Sequence, residues 1–154
     1  MPELKINDKA PFFKGIDQNG ETISLDQYKG KKVVLYFYPK DNTPGCTSEA
    51  CNLRDNYNTF IEKGFEIIGV SADSEISHKK FTGKYELPFR LISDTDKAII
   101  KVYGAWGEKK MYGKSYEGIL RKTFIISEDH KIERIIEKVQ TKDHANQIFD
   151  ELKI

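Results

Sequence analysis

Two stretches of the chain are almost continuously hydrophobic and show no alternation with polar residues. They cover residues 31–38 and Phe65–Ser71 and are rich in β-branched and aromatic side chains. Such runs are typical of strands that are buried on both faces of a sheet. We therefore predict two central strands here, the first ended by Pro39.

The segments after these strands have apolar residues at three- and four-residue spacings. The clearest runs from residue 45 to about residue 62, and further helices are predicted near residues 74–85, 97–103 and from about residue 143. Residues 88–92 favour an extended strand, and Lys122–Ile126 and residues 132–139 favour a closing hairpin. Residues 104–118 are rich in glycine and predict a loop.

The start of the chain predicts a hairpin of its own. Residues 12–16 and 21–25 flank a polar turn that ends in Asn19-Gly20. The alternating elements that follow imply a sheet that is parallel in its first half, with helices on both faces and antiparallel strands at the end. The predicted fold class is α/β and thioredoxin-like, with a mixed central sheet and an N-terminal β-hairpin extension.

Length, charge and terminal sequence narrow the class of protein. The 154 residues suit a single domain, residues 1–154, and the 25 basic and 24 acidic residues nearly cancel. Nucleic acid is not an expected partner, because no basic stripe is present. The first residues lack the pattern of a secretory signal and no apolar run is long enough for a bilayer, so we expect no membrane association and a cytoplasmic location.

The chemistry is expected in the turn after the first central strand, residues 39–51. Thr43 followed by Pro44 is typical of a helix N-cap and first helical position, which places Cys46 in the first helical turn. Backbone N–H groups there have no helical acceptor and favour a thiolate. Taken singly, the cysteine could be inert, Thr43 a cap and Pro39 a strand stop. The combination is what indicates a site.

The second cysteine, Cys51, lies five positions further along the same predicted helix. On an ideal helix this spacing separates the two Cα atoms by about 9 Å. A disulfide requires less than about 7 Å, so pairing of the two would require the first turns of the helix to unwind.

These residues resemble a known family. The pattern Pro39-x-x-x-Thr43-x-x-Cys46 resembles the peroxiredoxin signature, and the four-residue gap to Cys51 is similar to the bacterioferritin-comigratory (BCP, PrxQ-like) branch. The similarity continues through residues 103–110, Gly113-Lys114, Gly118 and residues 121–124, and so covers essentially the whole chain.

The resemblance implies a thiol-dependent peroxidase that reduces hydrogen peroxide and organic hydroperoxides. Cys46 would be the peroxidatic residue and Cys51 the resolving one, which makes the enzyme an atypical two-cysteine type with an intramolecular disulfide. Thr43 would hydrogen-bond the thiolate and the substrate, Pro39 would shield the pocket, and Arg121 would orient sulfur and peroxide. A purely local argument could have chosen Arg54, which we interpret as an ion-pair or helix-surface residue.

The resemblance also sets the expected partners. A thioredoxin-like donor would reduce the disulfide, although glutaredoxin-like donors also occur in the branch and the sequence does not choose between them. Neither a cofactor nor a metal is expected, and a monomer suffices because Cys51 is so close to Cys46. His78, His130 and His144 do not have the spacing of a structural zinc site and are interpreted as surface residues. The alternatives are a thiol-disulfide oxidoreductase, which usually carries Cys-x-x-Cys, and a non-enzymatic redox sensor or metal-binding module.

Overall fold

A seven-stranded mixed sheet lies at the centre of the computed structural model, which describes residues 3–154. A separate two-stranded hairpin accompanies it. In chain order the strands are β1 (Lys14–Ile16), β2 (Thr22–Ser24), β3 (Lys32–Phe37), β4 (Phe65–Ser71), β5 (Arg90–Ser93), β6 (Trp106–Met111), β7 (Lys114–Ile119), β8 (Lys122–Ile126) and β9 (Ile132–Ile136). The helices are α1 (Pro44–Asp55), α2 (Tyr57–Glu62), α3 (Glu75–Tyr85), α4 (Ala98–Val102) and α5 (His144–Leu152), with a short 3₁₀ helix at Leu25–Tyr28.

The order of strands across the sheet is β2-β1-β5-β4-β3-β8-β9. Strand β4 is parallel to both β3 and β5, whereas β8 is antiparallel to β3 and β9 is antiparallel to β8. The predicted parallel first half and antiparallel end are therefore confirmed. The N-terminal hairpin is also present and joins the sheet at β5, with Gly20 in the left-handed region at φ 76°.

Each face of the sheet is covered by its own hydrophobic core. Along β3, Val33, Leu35 and Phe37 point into one core, and Val34 and Tyr36 point into the other. Helix α4 packs on the first face, and α1, α2, α3 and α5 pack on the second. This alternation explains why β3 shows no polar positions: both of its faces are covered.

Two predicted elements differ from the structure. The helix expected over residues 45–62 is divided at Asn56, whose side-chain amide donates to the carbonyl of Asn52 and so competes with the helical ladder. The loop expected over residues 104–118 is wrong, because β6 and β7 form a regular antiparallel hairpin there. Its turn is made by Tyr112 and Gly113, both with positive φ, which suits the twist of a two-residue hairpin turn.

Within residues 3–154, no helix combines the length and the apolar character that crossing a bilayer requires.

Candidate active site

The turn between β3 and α1 brings the first cysteine to the start of a helix. Thr43 has extended backbone angles and Pro44 begins α1, as predicted. The carbonyl of Thr43 accepts from the N–H of Thr47 at 2.8 Å, which places Cys46 in the first turn. The Thr43 hydroxyl does not cap the helix; it donates to the carbonyl of Lys40 at 2.9 Å.

An anchor of buried hydrogen bonds holds the beginning of this turn. The Asp41 N–H donates to Asp73 Oδ2 at 2.8 Å. The Asp41 carboxylate is hydrogen-bonded to His78 Nδ1 at 2.7 Å and accepts from the Tyr38 hydroxyl at 2.6 Å. The other ring nitrogen of His78 bonds to the carbonyl of Ile92. The carboxylates and the imidazole are close enough to be a metal-ligand set, but they already bond to one another and to neighbouring groups. We interpret this anchor (Tyr38, Asp41, Asp73 and His78) as the support of the turn.

The thiol of Cys46 faces a guanidinium. Arg121 Nη2 donates to Cys46 Sγ at 3.3 Å, and the residue is only 2% exposed. Arg121 directly precedes β8, and the antiparallel pairing of Phe37 with Lys122 puts it beside the end of β3. A Cβ at Gly45 would lie 3.2 Å from Arg121 Nη2, so glycine gives the guanidinium room at the helix start.

The second arm of Arg121 bonds to a buried carboxylate that the sequence analysis missed. Arg121 Nη1 donates to Glu49 Oε1 at 2.8 Å, and Glu49 is fully buried one turn after Cys46. Burial raises the pKa of Glu49 to about 7 against the opposing charge of Arg121. Glu49 follows Cys46 by three residues, which places both on one helix face, and this spacing was the sequence signal that could have identified Glu49. Arg121 thus bridges sulfur and carboxylate.

A histidine lies behind this carboxylate. His144 Nε2 is 3.5 Å from Glu49 Oε2 and 2.8 Å from the Thr123 hydroxyl. Burial lowers the pKa of His144 to about 4, against a hydrogen bond to Gln147 that favours the charged ring. The interpretation of His144 and His78 as surface residues is wrong, since both are completely buried.

The remaining predicted residues lie around the same turn. Cys51 is half-buried on α1, and both cysteines are free thiols in a continuous helix. Pro39 is half-buried two residues after the end of β3. Arg54 forms an ion pair with Asp55 at 2.9 Å and donates to the carbonyl of Tyr85, so the structure supports the surface role assigned to it.

The sequence and the fold both match known proteins. The sequence matches the AhpC/TSA family over residues 6–135. It is 45% identical to peroxiredoxin Bcp of Bacillus subtilis over 150 residues, which is 97% of this chain and 96% of that protein. It is 41% identical to peroxiredoxin Bcp of Escherichia coli K12 over 153 residues, covering 99% of this chain and 98% of that one.

Solved structures of PrxQ and bacterioferritin comigratory proteins share the fold of this chain. A PrxQ variant from Xylella fastidiosa superposes with a TM-score of 0.92 at 32% identity, covering 99% of this chain and 98% of that one. The bacterioferritin comigratory protein of Xanthomonas campestris, studied for its alkyl peroxide reduction activity, gives a TM-score of 0.86 at 34% identity, covering 95% and 98%. The predicted thioredoxin-like α/β class is confirmed. The chain belongs to the AhpC/TSA family and, within it, to the peroxiredoxins of the Bcp and PrxQ branch.

Proposed function

We propose that the protein is a thiol-dependent peroxidase for hydrogen peroxide and organic hydroperoxides, with Cys46 as its nucleophile. The observation that carries the proposal is the 3.3 Å contact between Arg121 Nη2 and Cys46 Sγ at the first turn of α1. The Cys46 thiolate attacks one peroxide oxygen, an S–O bond forms, and the O–O bond breaks. Sulfur is oxidised to a sulfenic acid, and the departing oxygen takes up a proton and leaves as water or an alcohol.

Negative charge moves from the Cys46 sulfur to the departing oxygen during this step, and the site provides positive charge and N–H donors along that path. Arg121 and the free N–H groups of the first helical turn stabilise the thiolate and then the oxygen that leaves with the electron pair. The Thr43 hydroxyl donates to a backbone carbonyl, which leaves its lone pairs to accept a hydrogen bond from the peroxide. Pro39, half-buried beside the turn, limits access of water.

Access to the sulfur is narrow. Cys46 is 2% exposed, but the Arg121 side chain that contacts it is 23% exposed, and Thr43 and Gly45 are also partly exposed. A small peroxide can therefore approach along Arg121 with a minor displacement of side chains.

Cys51 completes the cycle in this proposal. Its thiol attacks the sulfenic sulfur of Cys46, water leaves, and an intramolecular disulfide forms; a thioredoxin-like dithiol then reduces that disulfide. Both cysteines belong to one helix of one chain, so a monomer can complete the cycle. The proposal also treats residues 1–154 as a single domain that acts in the cytoplasm. The proposal assigns no role to a metal or cofactor, because thiols, a guanidinium, a hydroxyl, backbone N–H groups and an external dithiol supply the chemistry of these steps.

Cysteine variants test the proposal. After one equivalent of peroxide, mass spectrometry should find a Cys46–Cys51 disulfide in the wild type and a sulfenic acid on Cys46 in Cys51→Ser. A Cys46→Ser protein should not consume peroxide with thioredoxin as donor, and normal consumption by that variant would refute the proposal. Insulin reduction by the wild type, without peroxide turnover, would instead indicate a thiol-disulfide oxidoreductase.

An arginine pair tests the role of the guanidinium. Arg121→Lys replaces the two-armed bridge by a single ammonium and should lower the rate constant for peroxide by about 10²–10³-fold, as loss of one stabilising donor does in other enzymes. Arg90→Lys is the matched control, because Arg90 pairs with Asp17 and Glu21 rather than with the cysteine. Equal rates for both variants would contradict the assignment of Arg121.

A further inference from the structure

Two buried acceptor atoms face each other behind Arg121. Glu49 Oε1 accepts from Arg121, whereas Oε2, fully buried, receives no hydrogen bond from any residue that the structure describes. Its neighbour is His144 Nε2 at 3.5 Å, on a side chain that is equally buried. Buried carboxylate oxygens normally have a donor, so this arrangement requires an explanation.

The hydrogen bonds around His144 fix which of its nitrogens carries the proton. Gln147 Oε1 accepts from the Gln140 N–H at 2.9 Å, and the Gln147 amide nitrogen donates to a backbone carbonyl, which sets the orientation of the amide. His144 Nδ1, at 2.8 Å from the same Oε1, must therefore be the donor. In the neutral ring Nε2 is then a lone pair that accepts from the Thr123 hydroxyl.

The result is a carboxylate oxygen opposite an imidazole lone pair, with no hydrogen atom between them. One added proton removes this conflict at either position. On Glu49 it makes Oε2 a donor, and on His144 it makes Nε2 a donor toward Oε2 and the Thr123 oxygen.

The charges at the site show when that proton is favoured. With Cys46 as a thiolate, one guanidinium faces two negative groups, the thiolate and the Glu49 carboxylate, in a buried setting. In the sulfenic acid, formed before α1 unwinds, the sulfur is neutral, and Arg121 and Glu49 balance without an added proton. Buried net charge is strongly disfavoured.

The other titratable groups around the site do not change this balance. Burial raises the pKa of Tyr36 well above its ordinary value, so its phenol on β3 stays neutral. Lys109 on β6 is partly exposed and its ammonium donates to the Ile119 carbonyl; burial, followed by the charge of Arg121, lowers its pKa. The raised pKa of Glu49 and the lowered pKa of His144 agree with a pair that holds one proton rather than two.

We propose that Glu49 and His144 share one proton while Cys46 is a thiolate and release it when peroxide oxidises Cys46 to the sulfenic acid, the step whose departing oxygen needs that proton. The inference rests on the proposed function. The full oxidation is Cys46–S⁻ + Cys51–SH + H₂O₂ + H⁺ → disulfide + 2 H₂O, and the pair supplies the H⁺. Glu49 and His144 are positioning residues here, because their charge state determines how strongly Glu49 holds Arg121.

Proton uptake from solution measures this directly. Reduced protein is mixed with one equivalent of hydrogen peroxide near neutral pH in weakly buffered indicator solution, and the uptake is divided by the thiolate content read from ultraviolet absorbance. The wild type should take up close to no protons per disulfide. Glu49→Gln should take up about one, because it removes the carboxyl group that shares the proton. His130→Gln, in a turn away from the site, is the control and should behave as the wild type.

Magnetic resonance gives a second measurement that needs no turnover. The side-chain signals of Glu49 and His144 Nε2 should show one proton lost between the reduced protein and Cys46→Ser, which has no thiolate charge. Unchanged signals, or a full proton taken up by the wild type, would overturn the inference. Failure of the proposed function is distinguishable, because it shows as a missing disulfide in mass spectrometry.

Discussion

Disulfide formation between Cys46 and Cys51 should unwind the first half of α1. Both residues lie within one continuous helix, where their Cα atoms are about 9 Å apart, and a disulfide needs less than about 7 Å. No change of rotamer removes this difference. The backbone between the two cysteines must therefore leave the helical conformation.

The structure indicates where the unwinding should stop. On the N-terminal side, the Asp41 N–H is fixed by Asp73 Oδ2 at 2.8 Å. On the C-terminal side, Asn52 Oδ1 accepts from the Ala145 N–H at 2.7 Å and ties the helix to α5. Residues 42–51 are the segment between these two contacts.

The magnitude follows from the hydrogen bonds lost. Unwinding releases about four helical hydrogen bonds at roughly 1 kcal/mol each, so the reduced helix should protect these amides by about 10³-fold against local opening. In the disulfide form that protection should be lost, and the N–H of Thr47, bonded to Thr43 in the reduced protein, is a direct reporter.

Hydrogen exchange followed by mass spectrometry or NMR measures the effect. Amides of residues 47–51 should exchange about 10²–10³-fold faster in the disulfide form, while those of α3 stay unchanged. Cys51→Ser treated with peroxide is the control and should keep slow exchange. Equal exchange rates for reduced and disulfide protein over residues 45–52 would refute the reasoning.

Two further predictions concern stability. Gly69→Ala should lower the free energy of unfolding by about 1–3 kcal/mol in urea titrations, because the added Cβ would lie 2.7 Å from Leu91 Cδ2. Gly83→Ala should raise it by about 0.5–1 kcal/mol, because this glycine is in a helix with open space around it. Equal effects of the two substitutions would contradict this prediction. Burial lowers the pKa of His144 to about 4, so its contribution to the free energy of unfolding is present above its ordinary pKa of 6.5 and is lost as the pH falls through 4. Glu49 has the opposite dependence: its pKa is raised to about 7, so its contribution is present below its ordinary 4.5 and is lost as the pH rises through 7. Urea titrations of His144→Gln should thus show stability that declines between pH 4.5 and 7, and a slope equal to that of the wild type would be the contrary result.

The strands and helices that could be predicted are those with a buried face. Strand β4 was predicted with the observed bounds, and β3 to within a residue or two, because their side chains are almost all buried. The β6–β7 hairpin was missed for the opposite reason. Most side chains of β7 are exposed, so hydrophobicity carries no signal there, and only Gly113 at the turn could have indicated a hairpin.

Some residues of the candidate site could likewise be predicted from the sequence, whereas others could not. Thr43, Pro44 and Cys46 could be placed because proline at the first helical position, after an extended residue, marks where α1 starts. His144 could not, since its partners lie on α1 and β8, far away in sequence. A weak signal existed, because His144 shares the buried stripe of α5 with Ile148, four residues on.

The arrangement of the sheet explains why the functional groups meet where they do. The parallel pairing of β3 and β4 leaves the carboxyl end of β3 free to start α1, where functional groups of open α/β sheets collect. The antiparallel pairing of β8 then returns the chain to that same end, so the residue before β8, Arg121, faces the first turn of α1. No local pattern distinguishes it from Arg54, because the difference is set by strand direction alone. The mixed sheet is therefore what brings the thiol and its guanidinium together.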